Sequence, residues 1–200
     1  ELHQVEYTEA WYQEKQGLEA TIGLLDLPEM QEQKPLTLNL EKDGHLAVYS
    51  SPGYGKSTFL QTLAVDIARQ YNPERVHMYL IDLGTNGLLP LKDLPHVADT
   101  IMADDEVKMA KLIRRLRNEM KERKQKLSKY GVANIRMYEK AIGENVPAIL
   151  LIIDTYDSVL DSSYKDDFEN MVAQVAREGV SVGIHLAISA GRQSALRAPL

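Results

Sequence analysis

Ser50-Ser51-Pro52-Gly53-Tyr54-Gly55-Lys56-Ser57-Thr58 is the stretch on which the fold reading turns. It follows the short apolar run His45-Leu46-Ala47-Val48-Tyr49 and precedes Phe59-Leu60-Gln61-Thr62-Leu63-Ala64, whose apolar residues have helical spacing. Strand, glycine-bearing loop, then helix is the setting of a phosphate-binding loop. Successive backbone N–H groups surround a polyphosphate there, and the helix start adds unpaired N–H groups and about half a positive charge. The expected nucleotide-binding set is Ser51, Pro52, Gly53, Tyr54, Gly55, Lys56, Ser57 and Thr58. Lys56 would reach the outer phosphates, and the Ser57 hydroxyl would ligate Mg²⁺. The first position of the G-x-x-x-x-G-K-[ST] pattern is Ser50 instead of glycine, while Gly-Lys-Ser is intact.

A second stretch completes the first. Pro147-Ala148-Ile149-Leu150-Leu151-Ile152-Ile153-Asp154 is a continuous apolar run ending in a carboxylate, followed by Thr155-Tyr156-Asp157. A strand buried on both faces reads this way. Its end would carry Asp154 to the nucleotide edge, to hold Mg²⁺ directly or through water.

The rest of the chain supplies an alternating α/β pattern. Residues 1–20 read as a linker segment, with a short helix at Glu9-Ala10-Trp11-Tyr12. Trp11, the only tryptophan, is either a docked anchor or a base-stacking ring. Residues 21–200 read as one domain. Ala20–Pro28 is expected to be a strand, Glu29–Lys34 a turn, and Leu36–Leu40 a half-buried alternating strand. The helix after the phosphate loop should stop near Asn72-Pro73. Val76–Asp82 reads as a buried parallel strand whose Asp82 either joins the site or caps the following loop. A long helix from Ala103-Asp104-Asp105 to Tyr130 carries an apolar stripe of Val107, Leu112, Ile113, Leu116, Met120 and Leu127. Ten Lys and Arg residues, Arg123 among them, fill its other positions, as a solvated face or a partner contact. A short helix follows at Asn134–Ala141, another at Lys165–Glu178, then a buried strand at Gly183–Ser189. The pattern predicts a mostly parallel sheet with helices on both faces and an extra N-terminal β segment.

Composition sets the boundaries. With 200 residues, 44% hydrophobic and 26% charged, the chain is long enough for one well-buried core. Net charge is −6, against the basic balance of a duplex-gripping protein, so nucleic acid is not the expected partner. Zero cysteines exclude disulfides and thiolate metal sites. No apolar run approaches the ~18 residues of a membrane span. A start at Glu1 and a stop at Leu200 are expected of a piece excised from a longer protein.

Several stretches together resemble one family: Asp26-Leu27-Pro28 with Gln31–Leu36, Asp43–Tyr49, the phosphate loop, Tyr79-Leu80-Ile81-Asp82, Leu94–Asp99, Asp154, and Gly179–Leu186 containing Gly183-Ile184-His185-Leu186. They look like an FtsK/SpoIIIE-type RecA-like ATPase domain. The nearer resemblance is to a C-terminal ATPase module, most like the second, of the EssC/EccC family of type VII secretion ATPases. That resemblance implies ATP and Mg²⁺ as cofactors. It also implies neighbouring ATPase modules in the same chain, a hexameric machine, and export of small WXG-type proteins. Membrane attachment would come through segments outside this stretch, on the cytoplasmic face of the bacterial membrane.

Two departures bear on the chemistry. Active members carry Glu after the Asp that ends the apolar strand; Thr155 stands there. Threonine takes no proton at neutral pH, and losing a general base commonly costs about 10²–10⁴ in rate. DNA-translocating members read Ala-Thr-Gln-Arg-Pro where this chain reads Ser189-Ala190-Gly191-Arg192-Gln193, so Gly191 replaces a polar sensor. The expectation is ATP binding with slow or no hydrolysis. The alternatives are an active motor and an FtsK-like DNA translocase. The motor would have Asp157 or a neighbouring chain as base, with Arg177 or Arg192 as trans-acting arginines.

Overall fold

The computed structural model describes residues 17–84 and 86–196. The helix expected around Trp11 lies outside them. Five parallel strands form the central sheet: β3 (Leu46–Tyr49), β4 (Val76–Asp82), β5 (Val97–Met102), β6 (Ala148–Asp154) and β7 (Ile184–Ala190). Their order across the sheet is β3-β7-β6-β4-β5. β6 and β7 are buried at every position because both have a strand on each side and a helical layer on each face. β3 and β5 are the edges and are only partly buried.

Side-chain parity divides the core in two. Leu80, Leu150 and Ile152 point to the face covered by α1 (Lys56–Gln70), whose Leu60, Leu63, Ala64 and Ile67 meet them. Tyr79, Ile81, Leu151 and Ile153 point the other way, onto α2 (Glu106–Tyr130) and α4 (Lys165–Val182). The short α3 (Ile135–Ile142) leans on this second layer through Ile135 and Tyr138. Helices therefore lie on both faces, as the alternating pattern predicts. Asp105 and Asn134 cap α2 and α3 by accepting from the N–H groups of Lys108 and Met137.

The N-terminal β segment is a separate antiparallel ribbon of β1 (Glu19–Leu27) and β2 (Glu32–Asn39). β1 takes in the last two residues of the stretch read as linker. Only the ribbon's base is anchored: Leu18, Ala20 and Leu40 pack with α1, and Asp66 of α1 accepts from Thr21 N–H at 2.7 Å. The expected half-buried alternation at Leu36–Leu40 is not found. The ribbon runs off the body there, and Leu24, Leu25 and Leu36 are exposed. The polar turn is also shorter than expected, since β2 begins at Glu32.

Three further readings are corrected. β5 was not expected as a strand; it is an edge strand with one buried residue, too weakly apolar to signal itself. Val107 is 66% exposed, in the first turn of α2 before the helix reaches the core. Arg123, expected with the other basic residues on a solvated or partner-facing side of the helix, is buried.

Candidate functional site

All five strands run the same way, so the carboxyl ends of β3, β4, β6 and β7 gather on one edge. The phosphate loop rises from β3 at this edge. Gly53 and Gly55 have φ of 85° and 82°, the left-handed region where a Cβ is costly. Gly55 is the residue on which α1 starts, so Lys56 and Ser57 occupy its first turn. Ser51 through Gly55 are exposed, and Lys56 and Ser57 are half-buried. The loop thus offers its backbone outward while its last two side chains turn toward the sheet. The Lys56 ammonium donates to the carbonyls of Ser50 at 2.6 Å and Ser51 at 3.0 Å, which holds it over the loop.

Asp154 is fully buried at the end of β6. Its Oδ2 accepts the Ser57 hydroxyl at 2.7 Å, joining two positions 97 residues apart. The two sequence motifs therefore meet. A buried carboxylate beside a hydroxyl is an oxygen donor set of the kind Mg²⁺ takes. Among the described residues no group of three or more His, Cys, Asp or Glu could hold a metal ion. Ser57 and Asp154 are the residues that would hold a Mg²⁺, whose remaining ligands would come from phosphates and water.

The loop after β4 walls this pair. A Cβ on Gly87 would stand 2.8 Å from Ser57 Cβ and 3.0 Å from Asp154 Oδ2, so only glycine fits. Gln61 of α1 donates to Gly87 O at 2.5 Å. Asp82, 1% exposed, accepts from Gly84 N–H, Asn86 N–H and Leu88 N–H. Its role is the loop cap of the two that its sequence context left open.

Thr155 has φ 63° and ψ 54°, left-handed backbone that is an outlier for a β-branched residue. It ends β6 abruptly and starts a 3₁₀ turn over Tyr156–Asp161. The turn redirects Asp157, whose carboxylate accepts Gly191 N–H at 2.6 Å. Asp157 is thus tied to the end of β7. Arg192 is exposed at the same edge. Arg177 is exposed on α4, toward the helix end that precedes the start of β7, and is not brought to the site. Ser189, Gly87 and Gln61 also bear on the Ser57–Asp154 pair, and no sequence motif marks them. Ser189 sits at a strand end between the two motif strands, a position legible only once the strand order is known.

A P-loop nucleotide-binding fold is defined by these features: a glycine loop opening a helix, a buried strand-end Asp on its hydroxyl, and a further strand between their two strands. Residues 8–200 match the FtsK/SpoIIIE family, and the chain belongs to it. The chain is 42% identical over 200 residues to the type VII secretion system protein EssC of Staphylococcus aureus MRSA252, covering all of this chain and 14% of that protein. It is 40% identical over 179 residues to the ESX secretion system protein EccC of Geobacillus thermodenitrificans, covering 90% of this chain and 12% of that one. Among solved structures, EssC (ATPases 2 and 3) from Geobacillus thermodenitrificans superposes with a TM-score of 0.85 at 39% identity, over 92% of this chain and 35% of that one. EccC (ATPases 2 and 3) of Thermomonospora curvata, in complex with a signal sequence peptide, gives 0.80 at 28% identity, over 90% and 34%. This chain thus resembles a single ATPase module of much longer relatives.

Proposed function

We infer that this chain is an ATP- and Mg²⁺-binding module of a type VII secretion ATPase, with slow or no hydrolysis of its own. The observation that carries the reading is the Ser57–Asp154 hydrogen bond, which unites phosphate loop and metal carboxylate across the sheet edge. Similarity to EssC over the whole chain supports the secretion context. In that context the module works beside others of the same chain in a hexameric machine that exports small WXG-type proteins. Two solved relatives support the neighbouring modules and a peptide cargo: EssC (ATPases 2 and 3), and EccC (ATPases 2 and 3) holding a signal sequence peptide. The hexamer and the WXG-type cargo rest on the family resemblance. No helix among the described residues is long and apolar enough to cross a membrane, so attachment to the cytoplasmic face would fall to other segments.

Slow hydrolysis is supported by two placements. Thr155 stands where a water-activating carboxylate would be, and the Asp157 carboxylate is engaged by Gly191 N–H. The test is steady-state ATP turnover beside Lys56→Ala across protein concentrations. Turnover is expected to match the Lys56→Ala baseline, while Mg-ATP raises the melting temperature. At about a hundred times its Kd, ligand adds roughly 2.7 kcal/mol. Brisk turnover abolished by Lys56→Ala would reject the slow reading. Specific activity that climbs with concentration would favour a motor completed by a neighbouring copy, with Arg192, exposed at the site edge, as its trans-acting arginine.

A further inference from the structure

The two oxygens of Asp154 meet different hydroxyls. Oδ2 accepts from Ser57 at 2.7 Å, and Oδ1 accepts from Ser189. Ser189 is fully buried on β7, the strand that separates the phosphate-loop strand from β6. The Ser189 oxygen also accepts Thr155 N–H at 2.8 Å. A serine hydroxyl has one proton to give and two lone pairs to receive. With Thr155 N–H on one lone pair, its proton is directed to the carboxylate, which when ionised only accepts.

The rotation of an Asp carboxylate about its last bond is intrinsically loose. Here it is pinned at Oδ1 by Ser189, and Gly87 closes the far side of Oδ2. Ser57 does not provide the same restraint, because its own hydroxyl is the group a metal would claim. We propose that Ser189 is a positioning residue of the metal-nucleotide site: it sets the Asp154 carboxylate so that Oδ2 stays beside Ser57, where nucleotide-bound Mg²⁺ would be held. The inference rests on the ATP and Mg²⁺ reading above. It adds that β7 orients the metal carboxylate instead of merely spacing the two motif strands. Outer groups that orient a metal ligand typically matter by 10–100-fold in metal affinity.

The test is binding of a fluorescent ATP analogue, with Mg²⁺ and with EDTA, to the wild-type protein, Ser189→Ala and Ser189→Cys. Cysteine nearly preserves packing while its S–H is a weak donor. In wild type, Mg²⁺ is expected to tighten binding. In both variants that Mg²⁺-dependent gain falls by about tenfold, while affinity in EDTA, set by the loop, is unchanged. A full Mg²⁺ gain in both variants overturns the proposal, and so does a wild type indifferent to Mg²⁺. Loss of the EDTA-measured affinity in both variants also overturns it, because Ser189 would then serve the loop's folding and not the metal. A wild type that binds no nucleotide in either condition brings down the ATP reading itself.

Discussion

Single positions at this site are decided by steric distance and backbone conformation. Gly87 is the sharper case. An added methyl would sit 2.8 Å from Ser57 Cβ and 3.0 Å from Asp154 Oδ2, inside any ordinary contact. Gln61 and Asp82 hold the loop on both sides, so it has little freedom to retreat. Gly87→Ala is therefore expected to part Ser57 from Asp154 and weaken Mg-ATP binding by about tenfold, the scale of a displaced metal ligand's support. Titration with and without Mg²⁺ checks this, and unchanged affinity would contradict it. Thr155 works in the opposite direction. Left-handed backbone costs an L-residue about 1–2 kcal/mol, and β-branching makes it worse. Asparagine tolerates that region better, so Thr155→Asn is expected to stabilise the fold by about 0.5–1 kcal/mol. Thermal melts should show a rise of roughly 2 °C. A fall would mean that the contact of the Thr155 side chain with Gly84 outweighs the strain.

Elements here are set by periodicity where a face is buried and by accidents of neighbourhood where it is not. The phosphate loop, β4 and β6 were legible because the signal is contiguous: glycines at fixed offsets, or an unbroken apolar run ending in Asp. The ribbon and α2 were legible only in part. Alternation at Leu36–Leu40 shows that one side is apolar but not whether that side has anything to cover it. In α2, one basic residue among ten points inward, and charge alone does not mark which. Arg123 is 3% exposed and donates to Val182 O and Pro147 O, each at 2.8 Å, while its Nε–H meets Glu119 at 2.7 Å. It ties the C-terminal third of α2 to the end of α4 and to the lead-in of β6. Arg123→Ala would strand buried carbonyls and open a cavity. The expected loss is about 2–4 kcal/mol, against near zero for a solvated arginine such as Arg114. Urea unfolding of the two variants side by side measures the contrast. Equal midpoints would mean that the buried hydrogen bonds of Arg123 add no net stability.

At the scale of the whole molecule, strand order makes the site. Nothing local in Ser189 says that β7 runs between β3 and β6, so its part in the site waits on the fold even though both flanking motifs are plain in the sequence. The same insertion buries His185 in the middle of the sheet with His45 beside it, ring centroids 6.2 Å apart. Burial first, then repulsion from His45 and Arg136, takes His185 down to about 3. Burial likewise lowers His45, His77 and His96, whose sites disfavour the imidazolium. An unfolded histidine titrates near 6.5, so below that pH the unfolded chain binds protons that the native state refuses. The native state then loses stability as pH falls from about 6.5 toward about 3, at roughly 1.4 kcal/mol per pH unit for His185 alone. Above pH 6.5 both states hold neutral imidazole and this contribution vanishes. Urea unfolding between pH 7.5 and pH 5 should therefore show a fall that steepens below 6.5. Replacing His185 by leucine removes one refused proton and should flatten the slope by about that amount, whatever it does to stability at pH 7.5. An identical slope in the variant would mean that His185 is protonated within the native sheet, and that the centre of the fold is far less closed than its packing implies.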